Sequence, residues 1–291
     1  MPSLDLDFFG VGTRIVVPDS FDERHFRYYF GYFVREISEP PAVELHFTTR
    51  PDGSFVKSLL NKETLKVSMV REGDGPWRIH DMFTDRSTQP SPLPPFQMAA
   101  FSSRFTSIHA ASVVHPRTGE AALLIGPSFS GKSVLTLELL RRGWGFLSDD
   151  MSIIQRDGVV VWAFPRPIGI RENTRKLLPW IDERVAKLDG VRRIQTPSGE
   201  TLMVRVEDLF PGVCCDSAPL RHLIELDRSD DTTEISWVSQ GQDICNARVH
   251  ELLATAPPPT QITSRRVTYN LEHHAGKVAA ELETILETPS S

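Results

Sequence analysis

The sequence predicts an α/β protein in which a P-loop domain follows a smaller, β-rich N-terminal domain. The first observation is that an apolar run at 121–125, a glycine-containing loop at 126–133 and a helical pattern at 134–140 follow one another directly. Strand, loop and helix in this order are the context of a phosphate-binding loop. The second is that alternating apolar and polar runs, typical of half-buried strands, recur through the first eighty residues. The third is a proline-rich segment at 89–95, which places a boundary between domains 1–95 and 96–291.

The composition excludes several classes of protein. The 291 residues carry a formal net charge of −6, so there is no excess basic field to attract nucleic acid. No apolar run reaches the length of a membrane span, and the N-terminus lacks a signal-peptide pattern. The three cysteines, two of them adjacent (Cys214 and Cys215), do not make a disulfide framework. We therefore expect a cytoplasmic protein with no membrane or nucleic-acid partner.

The N-terminal domain shows a series of strand patterns with one segment that is open to two interpretations. The strand patterns lie at 14–17, 43–48, 65–70 and 77–83. Residues 21–34 are rich in aromatic side chains and fit either a helix with a buried face or a pair of strands. Acidic residues surround this segment, so core packing is favoured over a surface for base stacking.

The second domain alternates strands and helices. A helix at 96–105 is expected to lead into strands at 108–114, 121–125 and 144–148, and Arg141, Arg142 and Gly143 end the helix after the loop. Asp157 and Gly158 predict a hairpin turn. The remaining pattern predicts strands at 202–204, 221–226 and 266–271 and helices at 172–185 (broken at Pro179), 242–254 and 277–286. His273 and His274, side by side on a predicted helix, are interpreted as surface residues.

The glycine loop fits G-x-x-x-x-G-K-[ST]. Its backbone N–H groups and the start of the next helix favour phosphate oxygens. Lys132 would bring a positive charge to the terminal phosphates, and the Ser133 hydroxyl would bind Mg²⁺. ATP and Mg²⁺ are thus the expected cofactors; the alternative is a tight strand-to-helix turn without a ligand. The predicted nucleotide-binding residues are Gly126, Pro127, Ser128, Phe129, Ser130, Gly131, Lys132, Ser133 and Val134.

Four polar residues outside the loop are candidates for catalysis. Asp149 and Asp150 follow the predicted strand at 144–148, whose end would lie beside the loop if the two strands were neighbours. Such acids hold Mg²⁺ or accept a proton from a hydroxyl, and their like charges disfavour joint ionisation; the alternative is an ordinary Asp-Asp turn. By itself His109 is more often a core or surface histidine, and Arg166 forms either a phosphate contact or a surface ion pair.

Taken together, these segments resemble the catalytic domain of HPr serine kinase/phosphorylase. More closely, they are similar to its stand-alone relatives in bacterial peptide-biosynthesis clusters, including lasso-peptide precursor kinases. The resemblance covers about residues 105–286 and rests on 108–111, 124–133, 143–150 and 164–168, together with the pattern of strands and helices that follows. The first hundred residues match only loosely.

The resemblance implies an α/β fold shared with phosphoenolpyruvate carboxykinases and ATP-dependent phosphorylation of a serine hydroxyl. Carried over by position, Asp149 matches the general base, Asp150 assists through metal or hydrogen bonding, and His109 matches a histidine next to that acid. Arg166 matches an arginine of the active-site rim. Metal binding falls to Ser133, Asp149 and Asp150.

Two positions depart from the family pattern. Phe129 stands where the family loop commonly has glycine, so its side chain must point away from the phosphates or the loop is altered. Phe164 stands where HPr kinases carry a glutamate tied to the metal. The second departure favours the peptide-kinase relatives over the bifunctional kinase/phosphorylase.

The sequence thus predicts an ATP-dependent serine kinase for a peptide or small protein. A nucleotide-binding regulatory or partner protein without transfer activity is an alternative, supported by Phe129 and the missing glutamate, and a small-molecule kinase is another. The N-terminal domain would either recognise a leader peptide through a strand edge or shield the catalytic sheet. A homo-oligomer is possible on this sequence, which leaves the oligomeric state open.

Overall fold

The computed structural model describes residues 2–17, 20–36, 41, 43–49, 54–59, 68–70, 78–80, 104–157, 159–196, 199–240, 249 and 262–287. The chain divides into two compact units, Met1–Ser103 and Arg104–Ser291. The proline-rich segment, with the predicted domain boundary, lies outside the described residues, as does most of the predicted helix at 96–105. None of the helices described is long and apolar enough to cross a membrane.

The N-terminal unit contains a sheet whose strands lie side by side in chain order. Neighbouring strands are antiparallel except for the second and third, which are parallel and are connected through a helix. That helix, α1, covers Ser20–Phe30 and is followed by a 3-10 turn at Gly31–Phe33. The strands are β1 Ser3–Phe8, β2 Val11–Val16, β3 Val43–Thr49, β4 Ser54–Leu59, β5 Ser68–Val70 and β6 Arg78–His80.

The aromatic segment at 21–34 is therefore helical, and it packs into the core. Phe26, Tyr29 and Phe30 are buried, and the Phe30 ring meets the Phe8 ring edge-on with 5.9 Å between centroids. Burial of these rings accounts for the aromatic content of the segment without a role in base stacking. Strands β1 and β4 were not predicted, although β1 alternates between buried and less buried residues.

The second unit is a mixed α/β structure with a large mixed sheet and a small antiparallel one. The large sheet has the order β10-β8-β9-β16-β12-β11-β7, with β18 beside β16 and β17 beside β18; the small sheet has the order β13-β15-β14. Strand β16 runs parallel to β9 and β18, and the other pairs are antiparallel. The strands are β7 Phe105–Ile108, β8 Ala111–Val114, β9 Ala121–Ile125, β10 Gly145–Ser148, β11 Ser152–Gln155, β12 Val160–Trp162, β13 Ile168–Arg171, β14 Arg192–Thr196, β15 Gly199–Val204, β16 Ser217–Arg228, β17 Ser236–Gln240 and β18 Thr263–Tyr269. The helices are α2 Lys132–Arg141, α3 Glu172–Leu177, α4 Trp180–Val185, α5 Val206–Leu209 and α6 Leu271–Glu287.

Three sequence predictions for this unit were wrong in part. The predicted strand at 108–114 is two strands, β7 and β8, because the chain turns where the Ala110 N–H donates to the Ile108 carbonyl at 2.9 Å. Phe105 begins β7 instead of ending a helix. His274 is only 7% exposed, since its side of α6 packs inward, while His273 is exposed as predicted. Of the predicted helix at 242–254 only Val249 lies among the described residues.

The strand β9 and the helix α2 form the centre of the second unit. Every residue of β9 is buried, because β8 and β16 flank it in the sheet. Helix α2 is buried along most of its length, and it shares a hydrophobic core with the small sheet and with α6. Such packing fixes both ends of the loop that joins β9 to α2.

The joint between that loop and α2 depends on a glycine. Gly131 has φ 101°, and a Cβ atom there would lie 2.5 Å from the Tyr269 hydroxyl and 2.6 Å from Leu271 Cδ1. Gly143, at the end of α2, also has a positive φ of 89°, but a Cβ there would meet nothing within 4 Å. A side chain at Gly143 would cause backbone strain alone, whereas a side chain at Gly131 would cause both backbone strain and steric overlap.

We expect Gly131→Ala to destabilise the protein far more than Gly143→Ala. The Gly143 change adds only left-handed backbone strain, worth about 1 kcal/mol. The Gly131 change adds the same strain and an overlap with two buried side chains, for a total of about 3 kcal/mol. Urea unfolding of both variants measures the difference, and equal losses would show that the space around Gly131 is not limiting.

Candidate functional site

The loop at 126–133 is held from behind by the sheet. A Cβ atom at Gly126 would lie 2.5 Å from Ser130 Oγ and 2.9 Å from the Leu226 carbonyl, so the loop folds closely over the end of β16. The buried Tyr269 hydroxyl donates to the Ser130 carbonyl at 2.8 Å. Sequence reasoning missed Tyr269, because it lies 139 residues along the chain from Ser130 and belongs to no motif.

Lys132, the first residue of α2, points back into this loop. Its Nζ donates to the carbonyls of Gly126 at 2.7 Å and Pro127 at 3.0 Å, and the residue is 9% exposed. Burial lowers the pKa of Lys132, while the nearby carboxylates Asp149 and Asp150 act in the opposite direction. The ammonium group is thus fixed within the loop by contacts with the loop backbone.

The other nucleotide-binding candidates divide into exposed and buried residues. Pro127, Ser128 and Phe129 are exposed at the tip of the loop. Ser130 is buried, and its Oγ has no hydrogen-bond partner among the described residues. Val134 is 4% exposed within the hydrophobic core, so its side chain contributes packing.

Phe129 has a left-handed backbone with φ 68°, and the residue is 61% exposed. Its ring therefore points outward from the core of the unit. The Arg171 guanidinium lies over this ring, 4.9 Å from its centroid. The bulky residue in a glycine position is thereby accommodated through an unusual backbone conformation and a single cation–π contact.

Asp149 faces the start of α2. The Ser133 hydroxyl donates to Asp149 Oδ2 at 3.2 Å, while Asp149 Oδ1 is buried with no hydrogen-bond partner in the described part of the chain. Burial raises the pKa of Asp149 to about 7, and the charge of Asp150 adds to the shift. The Ser133 hydrogen bond and the charges of Lys132 and Arg166 oppose it.

The sheet brings Asp149 to the loop by a route other than the expected one. The sequence placed Asp149 beside the loop on the condition that β10, which ends at Ser148, is a direct neighbour of β9. Instead β8 lies between them and is antiparallel to both, so β10 and β9 run in the same direction. Both strands end at the same edge of the sheet, and the acid after β10 reaches Ser133 across the intervening strand.

Asp150 lies in a more exposed environment, where it contacts the two remaining candidates, His109 and Arg166. Its side chain is 51% exposed, with His109 Nδ1 3.2 Å from Oδ1 and an Arg166 N–H donating to Oδ2 at 3.1 Å. His109 lies at the turn between β7 and β8, which brings it to this edge. Phe164 is fully buried, and the Arg166 guanidinium lies 5.4 Å from its ring centroid. The structure thus brings all five predicted catalytic residues to one edge of the sheet, where their roles stay predictions.

The oxygen atoms of Ser133 and Asp149 fit a hard cation such as Mg²⁺. A hydroxyl and a carboxylate form the kind of oxygen ligand set that Mg²⁺ prefers, and Asp149 Oδ1 is left unpaired in the described chain. Across the described ranges there is no group of three or more His, Cys, Asp or Glu residues that could hold a metal ion by themselves. Mg²⁺ commonly completes its coordination with water and phosphate oxygens, so two protein ligands are sufficient.

The raised pKa of Asp149 predicts a pH-dependent cost to folding. In the unfolded chain this carboxyl loses its proton near the ordinary value of 3.8, but in the folded chain it keeps the proton up to about pH 7. The free energy of unfolding therefore falls as the pH rises from 4 to 7, by up to about 4 kcal/mol for this group. Because an asparagine side chain cannot ionise, Asp149→Asn should stabilise the protein increasingly, relative to wild type, across this range.

Urea unfolding at several pH values between 4.5 and 8 measures this difference. Asp157→Asn is the matched control, because Asp157 is exposed and hydrogen-bonded only to its neighbour Gln155 in the described structure. A constant difference between Asp149→Asn and wild type across the pH range would contradict the raised pKa.

Comparison with known proteins gives a structural likeness and no matching family model. No family model and no curated protein matches the sequence. Among solved structures, the chain is similar to the HPr(Ser) kinase/phosphatase from Coxiella burnetii, with 14% sequence identity, a TM-score of 0.34 and coverage of 62% of this chain and 94% of that chain. That protein bears the name of the family that the sequence resembles, but a likeness of this size does not establish a shared activity.

Proposed function

We propose that this chain is an ATP-dependent serine kinase that transfers the γ-phosphoryl group to a serine hydroxyl of a peptide or small protein. The observation that carries the proposal is Asp149, a half-buried carboxyl with a pKa of about 7, whose Oδ2 lies 3.2 Å from the Ser133 hydroxyl at the start of the helix after a glycine loop. A proton acceptor poised near neutral pH, beside a loop suited to phosphates, is the arrangement that phosphoryl transfer to a hydroxyl requires.

The loop residues fit the phosphates of ATP. Backbone N–H groups of the loop and the start of α2 would bind phosphate oxygens. Lys132 Nζ, which donates to two loop carbonyls in this structure, is within the loop and can turn its protons to phosphate oxygens instead. Ser133 and Asp149 would hold Mg²⁺, which supplies neutralisation of phosphate charge when it is bound.

Asp149 has two oxygen atoms in different surroundings, which allows it two roles. Oδ2 faces Ser133 on the side of the proposed metal site, while Oδ1 accepts no hydrogen bond from the described residues. In the proposed step the Asp149 carboxylate accepts the proton of the serine hydroxyl as the serine oxygen forms a bond to the γ-phosphorus. The bond from that phosphorus to the β–γ bridging oxygen breaks, and ADP leaves.

Asp150, His109 and Arg166 act around this base. The negative charge of Asp150 raises the pKa of Asp149, so it keeps the base near its useful range. Arg166 and His109 in turn hold Asp150 from two sides. The side chains of Asp150 and His109 are 51% and 60% exposed, so a serine on a larger molecule can approach this edge.

A peptide acceptor is favoured by the sequence resemblance to precursor-peptide kinases, including the phenylalanine at position 164 in place of a glutamate. Phe164 is buried in the core and offers no oxygen ligand, so metal binding would fall to Ser133 and Asp149. The cytoplasm, where ATP is available, is part of the same proposal.

One observation favours a nucleotide-binding partner protein without transfer activity. Phe129 adopts a strained left-handed conformation at the tip of the loop, where glycine would be unstrained. If this conformation prevented correct placement of the γ-phosphate, ATP would bind without reaction. Measurement of transfer and binding on the same variants separates the two functions.

Replacement of Asp149 by Asn should abolish transfer but leave ATP binding measurable. Loss of a general base typically costs about 10²- to 10⁴-fold in rate. The assay uses ATP with a radioactive γ-phosphate and a library of serine-containing peptides, with label on the peptide as the readout. Asp157→Asn is again the control and should keep the wild-type rate.

Equal transfer by wild type and the Asp149→Asn variant would remove Asp149 from the reaction. ATP binding by the wild type with no labelled peptide in the library would support the partner-protein alternative.

Replacement of Lys132 by Ala should weaken ATP binding by about 10- to 100-fold, the value of a hydrogen bond to a charged group. Lys176→Ala is the matched control, since Lys176 is exposed and pairs with Glu172 on the surface of α3. Isothermal calorimetry measures both affinities. An unchanged affinity in the Lys132 variant would place the phosphates elsewhere.

A further inference from the structure

Phe129 combines two features that are unfavourable for a phenylalanine. Its φ of 68° lies in the left-handed region, which side chains with a Cβ atom rarely adopt. In addition, the residue is 61% exposed, so the ring gains little from burial. Strained residues that persist at the edge of a functional site commonly have a role there.

The contact between Phe129 and Arg171 indicates what that role is. The Arg171 guanidinium lies over its ring at 4.9 Å, which fixes a flexible side chain above the loop tip. The backbone of Arg171 is also fixed, because it is the last residue of β13 and pairs with Thr201 of β15. Ile170, the residue before it, lies in the core that β13 shares with α2.

Arg171 has no carboxylate to neutralise it in the described structure. Within the described ranges its guanidinium makes the Phe129 contact, and no hydrogen bond or ion pair of its side chain is present. By contrast Arg166, Arg175 and Arg193 each pair with an acid. An exposed arginine that is positioned but unpaired is well suited to bind an anion.

The positive charges of Arg171 and Lys132 both lie at the loop 126–133. Lys132 Nζ contacts the loop carbonyls of Gly126 and Pro127, and the Arg171 guanidinium lies over Phe129 of the same loop. Two cations that repel each other at one loop are both stabilised when a polyanion lies between them. The terminal phosphates of a nucleotide provide such an anion.

We infer that Arg171, placed by its contact with Phe129, is a second cationic ligand for the γ-phosphoryl group of ATP and stabilises it during transfer. The inference rests on the proposed kinase function and deepens it. The planar guanidinium offers two parallel N–H donors to phosphoryl oxygens, in addition to the point charge of Lys132. Phe129 is then a positioning residue, and its position in the loop serves the placement of Arg171.

Nucleotide binding tests the contact with the γ-phosphate, without the need for an acceptor. Arg171→Gln should weaken binding of the non-hydrolysable ATP analogue AMP-PNP about tenfold or more but leave ADP binding within about twofold. Arg175→Gln is the matched control, because Arg175 lies on the adjacent helix and pairs with Asp182. It should leave both affinities unchanged.

The transfer rate tests the stabilising role. Arg171→Gln should lower the rate constant at saturating ATP by about 10²-fold, as for other single donors to a transition-state anion. Arg171→Lys should recover only part of the loss, since an ammonium group lacks the two parallel donors.

Phe129 is tested by variants that separate strain from positioning. Phe129→Gly removes the backbone strain, so it should raise the free energy of unfolding. The same variant should lower the transfer rate, because the ring that positions Arg171 is lost. Phe129→Tyr keeps the ring and should keep the wild-type rate. In the double variant Phe129→Gly/Arg171→Gln the rate should be no lower than with Arg171→Gln alone, because Phe129 acts through Arg171.

The outcomes separate this inference from the proposed function. If the wild-type protein binds AMP-PNP and transfers phosphate, and Arg171→Gln matches it in both assays, the inference about Arg171 is overturned and the proposed kinase function stands. A variant that loses affinity only for the peptide acceptor would also overturn it and would assign Arg171 to acceptor binding. Wild-type protein that binds no ATP would overturn the proposed function and this inference with it.

Discussion

The left-handed turn at Gly131 is the constraint on which the site depends. The turn lets the chain leave the buried strand β9 and enter α2 against the side chains of Tyr269 and Leu271, where a Cβ atom has no room. The Tyr269 hydroxyl then holds the loop from behind through the Ser130 carbonyl. Because β9 and α2 are both locked in the core, the positions of Lys132 and Ser133 follow from this one turn.

The two acids show how one edge of a sheet gives similar groups different properties. Asp149 is half-buried with Oδ1 shielded from solvent and unpaired in the described chain, so its neutral form is favoured up to about pH 7. Asp150, the next residue, points to solvent and meets Arg166 and His109. Both acids lie in the bend just after β10, where Asp149 is half-buried and Asp150 is exposed. The charge of Asp150 then reinforces the effect of burial on Asp149. A carboxyl with a pKa near neutral thus arises in an ordinary residue type through its burial and the charge of its neighbour.

Much of the site could be predicted from local sequence, while its assembly could not. The loop motif and its flanking apolar runs are local, so the strand β9, the loop and α2 were predicted within a residue or two. The break between β7 and β8 was not predicted, because a continuous apolar run has no period that marks a turn. This break places His109 beside Asp150. The insertion of β8 between β9 and β10 was also missed, since the order of strands in a sheet is set by long-range packing.

By itself, the sequence determined the residue types and spacings that phosphate chemistry needs: a glycine loop, a lysine and serine at the start of a helix, and an acidic pair after a later strand. It also pointed to Phe129 as an anomaly. Only the tertiary structure decided which acid is buried, that Tyr269 supports the loop and that Arg171 lies over Phe129. The physical reason is that burial, pKa and cation–π contacts depend on residues far apart in the chain. Their proximity is a property of the packed sheet and is absent from any local pattern.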